Sequence, residues 1–202
     1  MIKPGIPFIP MEPTSYPEAF DDESFGFQVK WDGTRILAHI DDAVELFNRK
    51  MKRRTKHYPE VVDALSRFFS HKSAVLDGEM IALCGGKPDF QNLMRRDMAT
   101  EEATVKYLAA KIPVTYVVFD ILYLNGKCLV DLPFSERYGI LRGCLSSSDP
   151  VVVTDTFPGT GIALFEAVKE KGLEGIVAKK LDSRYEIGKK SKNGSRSKTA
   201  AR

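Results

Sequence analysis

The segments that most limit how this chain can fold are apolar strands with acids inside them. Residues 74–83 read AVLDGEMIAL and carry Asp77 and Glu79. Residues 113–124 read PVTYVVFDILYL and carry Asp120 directly after Phe119. A carboxylate in an apolar strand is costly unless it is paired or coordinated. Two more segments put charge at strand ends: Lys30-Trp31-Asp32-Gly33-Thr34-Arg35 and Glu174-Gly175-Ile176-Val177-Ala178-Lys179-Lys180. Each alone reads equally as a structural ion pair or a surface turn. Together they bring a lysine, several acids and several bases to strand ends, which suits a nucleotide and its metal.

The remaining periodicity supplies the scaffold. Residues 25–30 alternate as a half-buried strand does. Residues 35–40 and 44–47 follow, with Asp41-Asp42 as the turn, so the three read as a meander. Pro59 opens an amphipathic helix over 59–70. Further helices are expected over 90–96, 101–111, 135–145 and 161–171. Strands are expected over 74–83, 113–124, 151–156 and 175–179, and Asn125-Gly126 marks a hairpin. Strand meanders with inserted helices predict an α+β domain, not a doubly wound parallel sheet.

At 202 residues, 43% hydrophobic, the chain can bury a core without disulfides or structural metal. Its three cysteines lie far apart with no CxxC, so reduced thiols are expected. No apolar run reaches the roughly 18 residues of a membrane span, and the Pro-rich N-terminus lacks a signal-peptide h-region. These features read as a soluble intracellular protein with no membrane partner. The net charge of +3 permits a polyanionic partner without demanding one. The charge is uneven, however. Residues 49–56 read RKMKRRTK, and residues 188–202 read GKKSKNGSRSKTAAR with no acid. Such runs are solvated surface or phosphate contacts.

Lys30 ends an apolar strand before a glycine turn, which points its amine at the sheet edge. Gly33 allows close backbone approach by a ligand. A lysine is nucleophilic only without its proton, and its ordinary pKa of about 10.4 calls for cationic neighbours or desolvation. Arg35, Arg49 and the lysines near Lys179 are candidate neighbours.

In order and spacing, these segments resemble the motifs of the covalent nucleotidyltransferase superfamily. That superfamily holds ATP-dependent DNA ligases, RNA ligases and mRNA-capping guanylyltransferases. The resemblance runs through K-x-D-G-x-R at Lys30–Arg35, an arginine in Phe47-Asn48-Arg49, D-G-E at Asp77–Glu79, F-D-I-L at Phe119–Leu122 and E-G-I-V-A-K at Glu174–Lys179. Pro88-Asp89-Phe90-Gln91 and Tyr185-Glu186-Ile187-Gly188-Lys189 are similar to bacterial ATP-dependent DNA ligases, including the ligase domains of end-joining enzymes.

The resemblance implies an antiparallel-sheet nucleotidyltransferase fold, the ATP-grasp-like catalytic domain of DNA ligases and capping enzymes, over residues 1–193. It implies ATP and Mg²⁺ (or Mn²⁺) as cofactors, and nicked or broken double-stranded DNA as the partner in repair, replication or recombination. Lys30 would carry AMP. Phe119 would stack on adenine, Glu79 would hold the ribose, and Arg35 would lie near the ribose or the nick phosphate. Arg49, and Lys179 or Lys180, would contact phosphates, with Asp32 also lining the nucleotide site. Glu174 would help hold the metal. Gln28 stands where many of these ligases have Glu and would read the adenine edge. Arg49, Lys50, Lys52, Arg53 and Arg54 would meet DNA. The resemblance also implies a monomer of the bacterial cytoplasm and nucleoid, with a Ku-like end-binding protein as a candidate partner.

The C-terminus departs from the pattern. In such ligases a strand with a Trp and alternating lysines, motif V, follows. Here GSRSKTAAR has no apolar residue but Ala, so residues 194–202 are expected to form a basic tail and no strand. The family's OB-fold domain is not expected within the chain. A truncated, non-catalytic relic that binds nucleotide or DNA, and an RNA ligase or capping-type transferase, are the competing readings.

Overall fold

The computed structural model describes residues 2–15, 18–69 and 72–199. The chain lays down two sheets and crosses between them twice. It starts the first sheet with β1 (Glu12–Ser15) and β2 (Phe25–Lys30), then crosses at Trp31-Asp32-Gly33. The second sheet follows without interruption: β3 (Thr34–Ile40), β4 (Val44–Asn48), β5 (Ala74–Cys84), β6 (Lys87–Pro88), β7 (Val114–Leu124), β8 (Lys127–Cys128) and β9 (Val151–Val153). The chain returns at Thr154–Thr156 and completes the first sheet with β10 (Phe157–Pro158), β11 (Gly175–Lys180) and β12 (Lys190–Lys198). The first sheet runs β1-β12-β11-β2-β10, and the second β4-β3-β5-β7-β8. The architecture is α+β, as the sequence predicts.

Helices cover one face of each sheet. On the second sheet, α1 (Pro59–Phe68), α2 (Phe90–Met98), α3 (Glu102–Lys111) and α4 (Phe134–Cys144) enclose a core that includes Ile36, Leu46, Leu65, Leu76 and Tyr116. Pro59 starts α1 because a first-turn residue has no intrahelical acceptor to lose. On the first sheet, α5 (Gly161–Glu170) covers Phe27, Ile176 and Ala178. The opposite faces of the two sheets border the cleft described below.

Three expectations are corrected. The predicted meander is split, because β2 pairs with β11 while β3 pairs with β4 and β5. Gly33 makes the crossing possible, since a Cβ there would sit 2.1 Å from the Met80 carbonyl. The strand predicted over 151–156 stops at Val153, as β9 on β7; the chain then crosses, and β10 at 157–158 pairs with β2.

The third correction is the tail. Residues 190–198 form β12, hydrogen-bonded between β1 and β11. An internal strand needs backbone partners on both edges, not apolar side chains. Ser191, Ser195 and Ser197 are small enough to be buried, and Ser197 donates to the Glu18 carbonyl at 3.0 Å. Residues 200–202 lie outside the described residues.

Asp120 and Asp77 are buried, and both are paired. Arg137 donates to the two oxygens of Asp120 at 2.8 and 2.9 Å, and Arg35 clamps Asp77 in the same two-pronged way at 2.9 and 2.6 Å. The strand assignment of β12 has a direct check. In native-state hydrogen exchange, the amides of residues 194–198 should be protected to the same extent as those of β11. Exchange at the rate of an unstructured peptide would return these residues to a loose tail.

Candidate active site

The cleft between the sheets holds a cavity of about 600 Å³. Its floor on the first sheet is set by strand register. Paired residues on antiparallel strands share a face, so three rows of residues lie on the face turned to the cleft. The outermost row is Lys30, Gly175 and Lys198; the next is Gln28, Val177 and Arg196; the innermost is Gly26, Lys179 and Gly194. The opposite face carries Phe27, Val29, Ile176 and Ala178 into the packing against α5. The alternation seen in residues 25–30 therefore separates chemistry from core.

The outermost row makes the central contact. Gly175 adds no side chain between two lysines, and Lys30 and Lys198 both reach Glu174, the residue before it. The Lys30 ammonium donates to one Glu174 oxygen, and Lys198 approaches the other at 3.0 Å. Gly175 is also required sterically: its φ is +151°, and a Cβ would lie 2.0 Å from the Ser197 carbonyl. Burial opposes the charge on Glu174, but hydrogen bonds from the two lysines outweigh it and hold the carboxyl below its usual range.

The second sheet supplies the facing wall. Arg35 and Glu79 are directly paired on β3 and β5. Burial works against the Arg35 charge, yet Asp77 and Tyr185 more than compensate and hold the guanidinium firmly protonated. Tyr185 donates to Asp77 at 2.6 Å and accepts from the Met11 amide at 3.1 Å. Glu79 has no such clamp. Burial pushes its carboxyl up to about 8, although Arg35 and Lys30 pull the other way. Phe119 lines the cavity from β7, with the Arg35 guanidinium 5.2 Å from its ring centre. Gln28 is buried, and its amide nitrogen donates to the Thr156 hydroxyl at 2.8 Å.

The cavity thus gathers Gln28, Lys30, Asp32, Arg35, Arg49, Glu79, Phe119, Glu174 and Lys179. Lys180 is not among the residues lining it. It points away and pairs with Asp182 at 3.2 Å, which removes the expected phosphate contact. Lys179 does line the cavity, but its ammonium is held on the Phe119 carbonyl at 3.2 Å and not at the strand end.

The basic run divides in the same way. Arg49, Lys50, Lys52 and Arg54 border the cavity. Arg53 alone of the five pairs outside the cavity lining, with Glu45; Arg54 is held within it, 3.2 Å from Asp97, which Tyr58 also engages. Residues that sequence reasoning passed over are Arg196, Lys198, Tyr185 and Thr156. The period-two alternation of Ser195, Arg196, Ser197 and Lys198 was the available signal for the first pair.

Two facing sheets, a lysine at the end of a central strand, an acid beside it and an aromatic wall define a covalent nucleotidyltransferase domain. The chain belongs to the family described as ATP dependent DNA ligase domain, which matches residues 10–198. A similar relative is the SPbeta prophage-derived DNA ligase-like protein LigB of Bacillus subtilis. It is 37% identical over 186 residues, 91% of this chain and 64% of that protein. The multifunctional non-homologous end joining protein LigD of Mycolicibacterium smegmatis is 33% identical over 187 residues, 91% of this chain but 23% of that protein. Among solved structures, a mycobacterial DNA ligase D complexed with ATP and MES superposes with a TM-score of 0.80 at 28% identity, covering 95% of this chain and 60% of that one. The chain therefore spans less than two thirds of these relatives.

The net upward shift of Glu79 has a pH signature. A carboxyl raised in the folded state contributes stability below its unfolded pKa, and that contribution is lost as pH rises through the folded value. Wild type should therefore lose stability relative to Glu79→Gln between about pH 5 and pH 8. Urea midpoints of the two proteins against pH read this directly. Parallel curves would mean that Glu79 is as well solvated folded as unfolded.

Proposed function

We propose that this domain takes AMP from ATP onto Lys30 as the first step in sealing breaks in duplex DNA. The carrying observation is Lys30 on Glu174 in a cavity walled by Phe119, with Lys198 on the other Glu174 oxygen. The deprotonated Lys30 amine attacks the α-phosphorus, an N–P bond forms, and the P–O bond to pyrophosphate breaks. The amine's proton goes to solvent. Covalent capture splits one hard displacement into easier ones. AMP then passes to a 5′-phosphate, and a 3′-hydroxyl displaces it.

Each neighbour has a part in this reading. Glu174 aims the amine through its hydrogen bond. Phe119 offers a face to adenine, Gln28 reads its edge, and Glu79 takes the ribose with Asp32 at the cavity mouth. Arg35, Arg49 and Arg196 supply guanidinium groups suited to phosphate. Arg196 and Lys198 take the part that the resemblance gives to the alternating lysines of motif V. That placement supports a catalytic domain over a relic, because the cations thought missing lie beside the cavity.

Mg²⁺ suits the donors present. No group of three or more acidic, His or Cys ligands exists among the described residues. Mg²⁺ commonly binds through one or two carboxylates plus substrate phosphates. Glu174 is the carboxylate that would hold it, and the ion would neutralise phosphate charge. We read the domain as a monomer of the bacterial cytoplasm and nucleoid. The relative named for end joining supports a Ku-like end-binding partner.

Incubation with ATP and Mg²⁺ should add roughly 329 Da, AMP less water, to the peptide holding Lys30. Lys30→Ala and Lys30→Arg should show none, since a guanidinium stays charged. Arg196→Ala and Lys198→Ala should each slow adduct formation by about 10²- to 10³-fold. An adduct that persists in Lys30→Ala would refute the assignment.

Nicked-duplex affinity should fall steeply with salt. Replacing Arg49, Lys50 and Lys52 by Gln should reduce the slope by about 0.9 per residue. Arg53→Gln should change it little, because that guanidinium is on Glu45. A slope indifferent to the triple replacement would take the run out of the DNA interface.

A further inference from the structure

Lys179 has surroundings unlike those of any other lysine in the cleft. Its ammonium lies 4.4 Å from the centre of the Phe119 ring and 4.7 Å from that of Phe134. Its hydrogen bond goes to the Phe119 carbonyl at 3.2 Å. The nearest acids are engaged elsewhere: Asp120 is clamped by Arg137, and Asp77 by Arg35 and Tyr185. The cation is thus held chiefly by aromatic faces and one carbonyl, and two of these contacts belong to Phe119.

We propose that Lys179 is a positioning residue for the base-binding wall: its ammonium, seated between the Phe119 and Phe134 rings, fixes Phe119 as a purine platform, so that nucleotide affinity follows the charge on Lys179. The attraction is that of a cation for the negative face of a ring, and it is largest where water is excluded. A neutral amine loses it. The inference rests on the reading of Phe119 as the adenine face.

The charged groups packed around Lys179 set where it titrates. They are Asp120 on β7, Asp77 on β5, Arg35 on β3 and Arg137 on α4. Burial draws its pKa down to about 8; Asp120 and Asp77 oppose this, while Arg35 and Arg137 add to it. Protonated below that value, Lys179 supports Phe119, and the support is lost as pH rises through it. Glu79 titrates in the same range, so the lysine must be isolated by comparison with Lys179→Arg. A guanidinium stays charged at these pH values and also stacks on rings.

The probe is α,β-methylene ATP, which binds but cannot transfer AMP. Its affinity is measured calorimetrically on the 202-residue chain from about pH 7 to about pH 9.5, and ionisation of the ligand's own phosphates cancels in the comparison of the two proteins. The ratio of wild-type to Lys179→Arg affinity should fall by about tenfold, or about 1.4 kcal/mol, across that range. Lys179→Met should bind about tenfold more weakly than wild type at pH 7 and lack the Lys179 transition. Identical pH profiles for wild type and Lys179→Arg would overturn the proposal. So would a folded Lys179→Met that binds like wild type; if that variant does not fold, the Arg comparison decides alone. The Lys30 adduct, assayed on the same wild-type preparation, separates this inference from the functional reading. Adduct with no difference in pH profile defeats the role of Lys179 alone; absence of adduct defeats both.

Discussion

The carboxylate of Asp77 holds the cleft together. It is buried in the middle of β5, where an unpaired charge would be untenable. Arg35 from β3 meets it with two hydrogen bonds, and Tyr185 from the segment before β12 adds a third. The Tyr185 hydroxyl also receives the Met11 amide just ahead of β1. One acid therefore fixes a residue of the facing wall, the approach to the last strand and the start of the first. Removing one partner of such a group leaves the others buried and unsatisfied, a loss of about 3–5 kcal/mol. The position of Arg35 relative to Lys30 depends on this cluster, although Asp77 itself does not line the cavity.

Much of this was legible in the sequence, and the rest was not, for identifiable reasons. Alternation in residues 25–30 correctly separated Gln28 and Lys30 from Phe27 and Val29, because burial on one face imposes period two. The acids inside apolar strands pointed to buried pairs, and Asp77 and Asp120 are such pairs. Periodicity says nothing about which strand is a neighbour, so the split of β2 from β3 was invisible. Only the close approach at Gly33 hints at it. β12 was missed because its inward residues are serines, and a hydrophobic pattern cannot register a strand held by backbone bonds and small side chains. Lys179 and Lys180 looked equivalent as adjacent bases. Alternation sends one under Phe119 and the other to solvent beside Asp182.

The Glu174 contact shows how the same sheet geometry serves chemistry. A carboxylate shared by two ammonium groups would be ordinary on a surface. Here the lysines come from strands on either side of β11, and the missing Gly175 side chain lets them converge. The arrangement fixes the Lys30 amine through a carboxylate that is itself held from the other side by Lys198.

The two crossings also give the sheets very different loops to close. The second sheet is one unbroken stretch of chain, from Thr34 to Val153, whose contacts close over modest loops. The first sheet pairs Glu12 with Lys190, so its closure waits on the longest loop in the fold. Contacts between sequence-distant strands form slowly, because loop entropy must be lost before pairing rewards it. On a ribosome, β12 emerges long after the second sheet is complete. Lys30, delivered on β2 near the beginning, pairs with β11 well before β12 arrives, and Glu174 gains its second lysine only with Lys198 at the end of β12. The two-lysine clasp on Glu174 is therefore complete only once the chain has been made past Lys198.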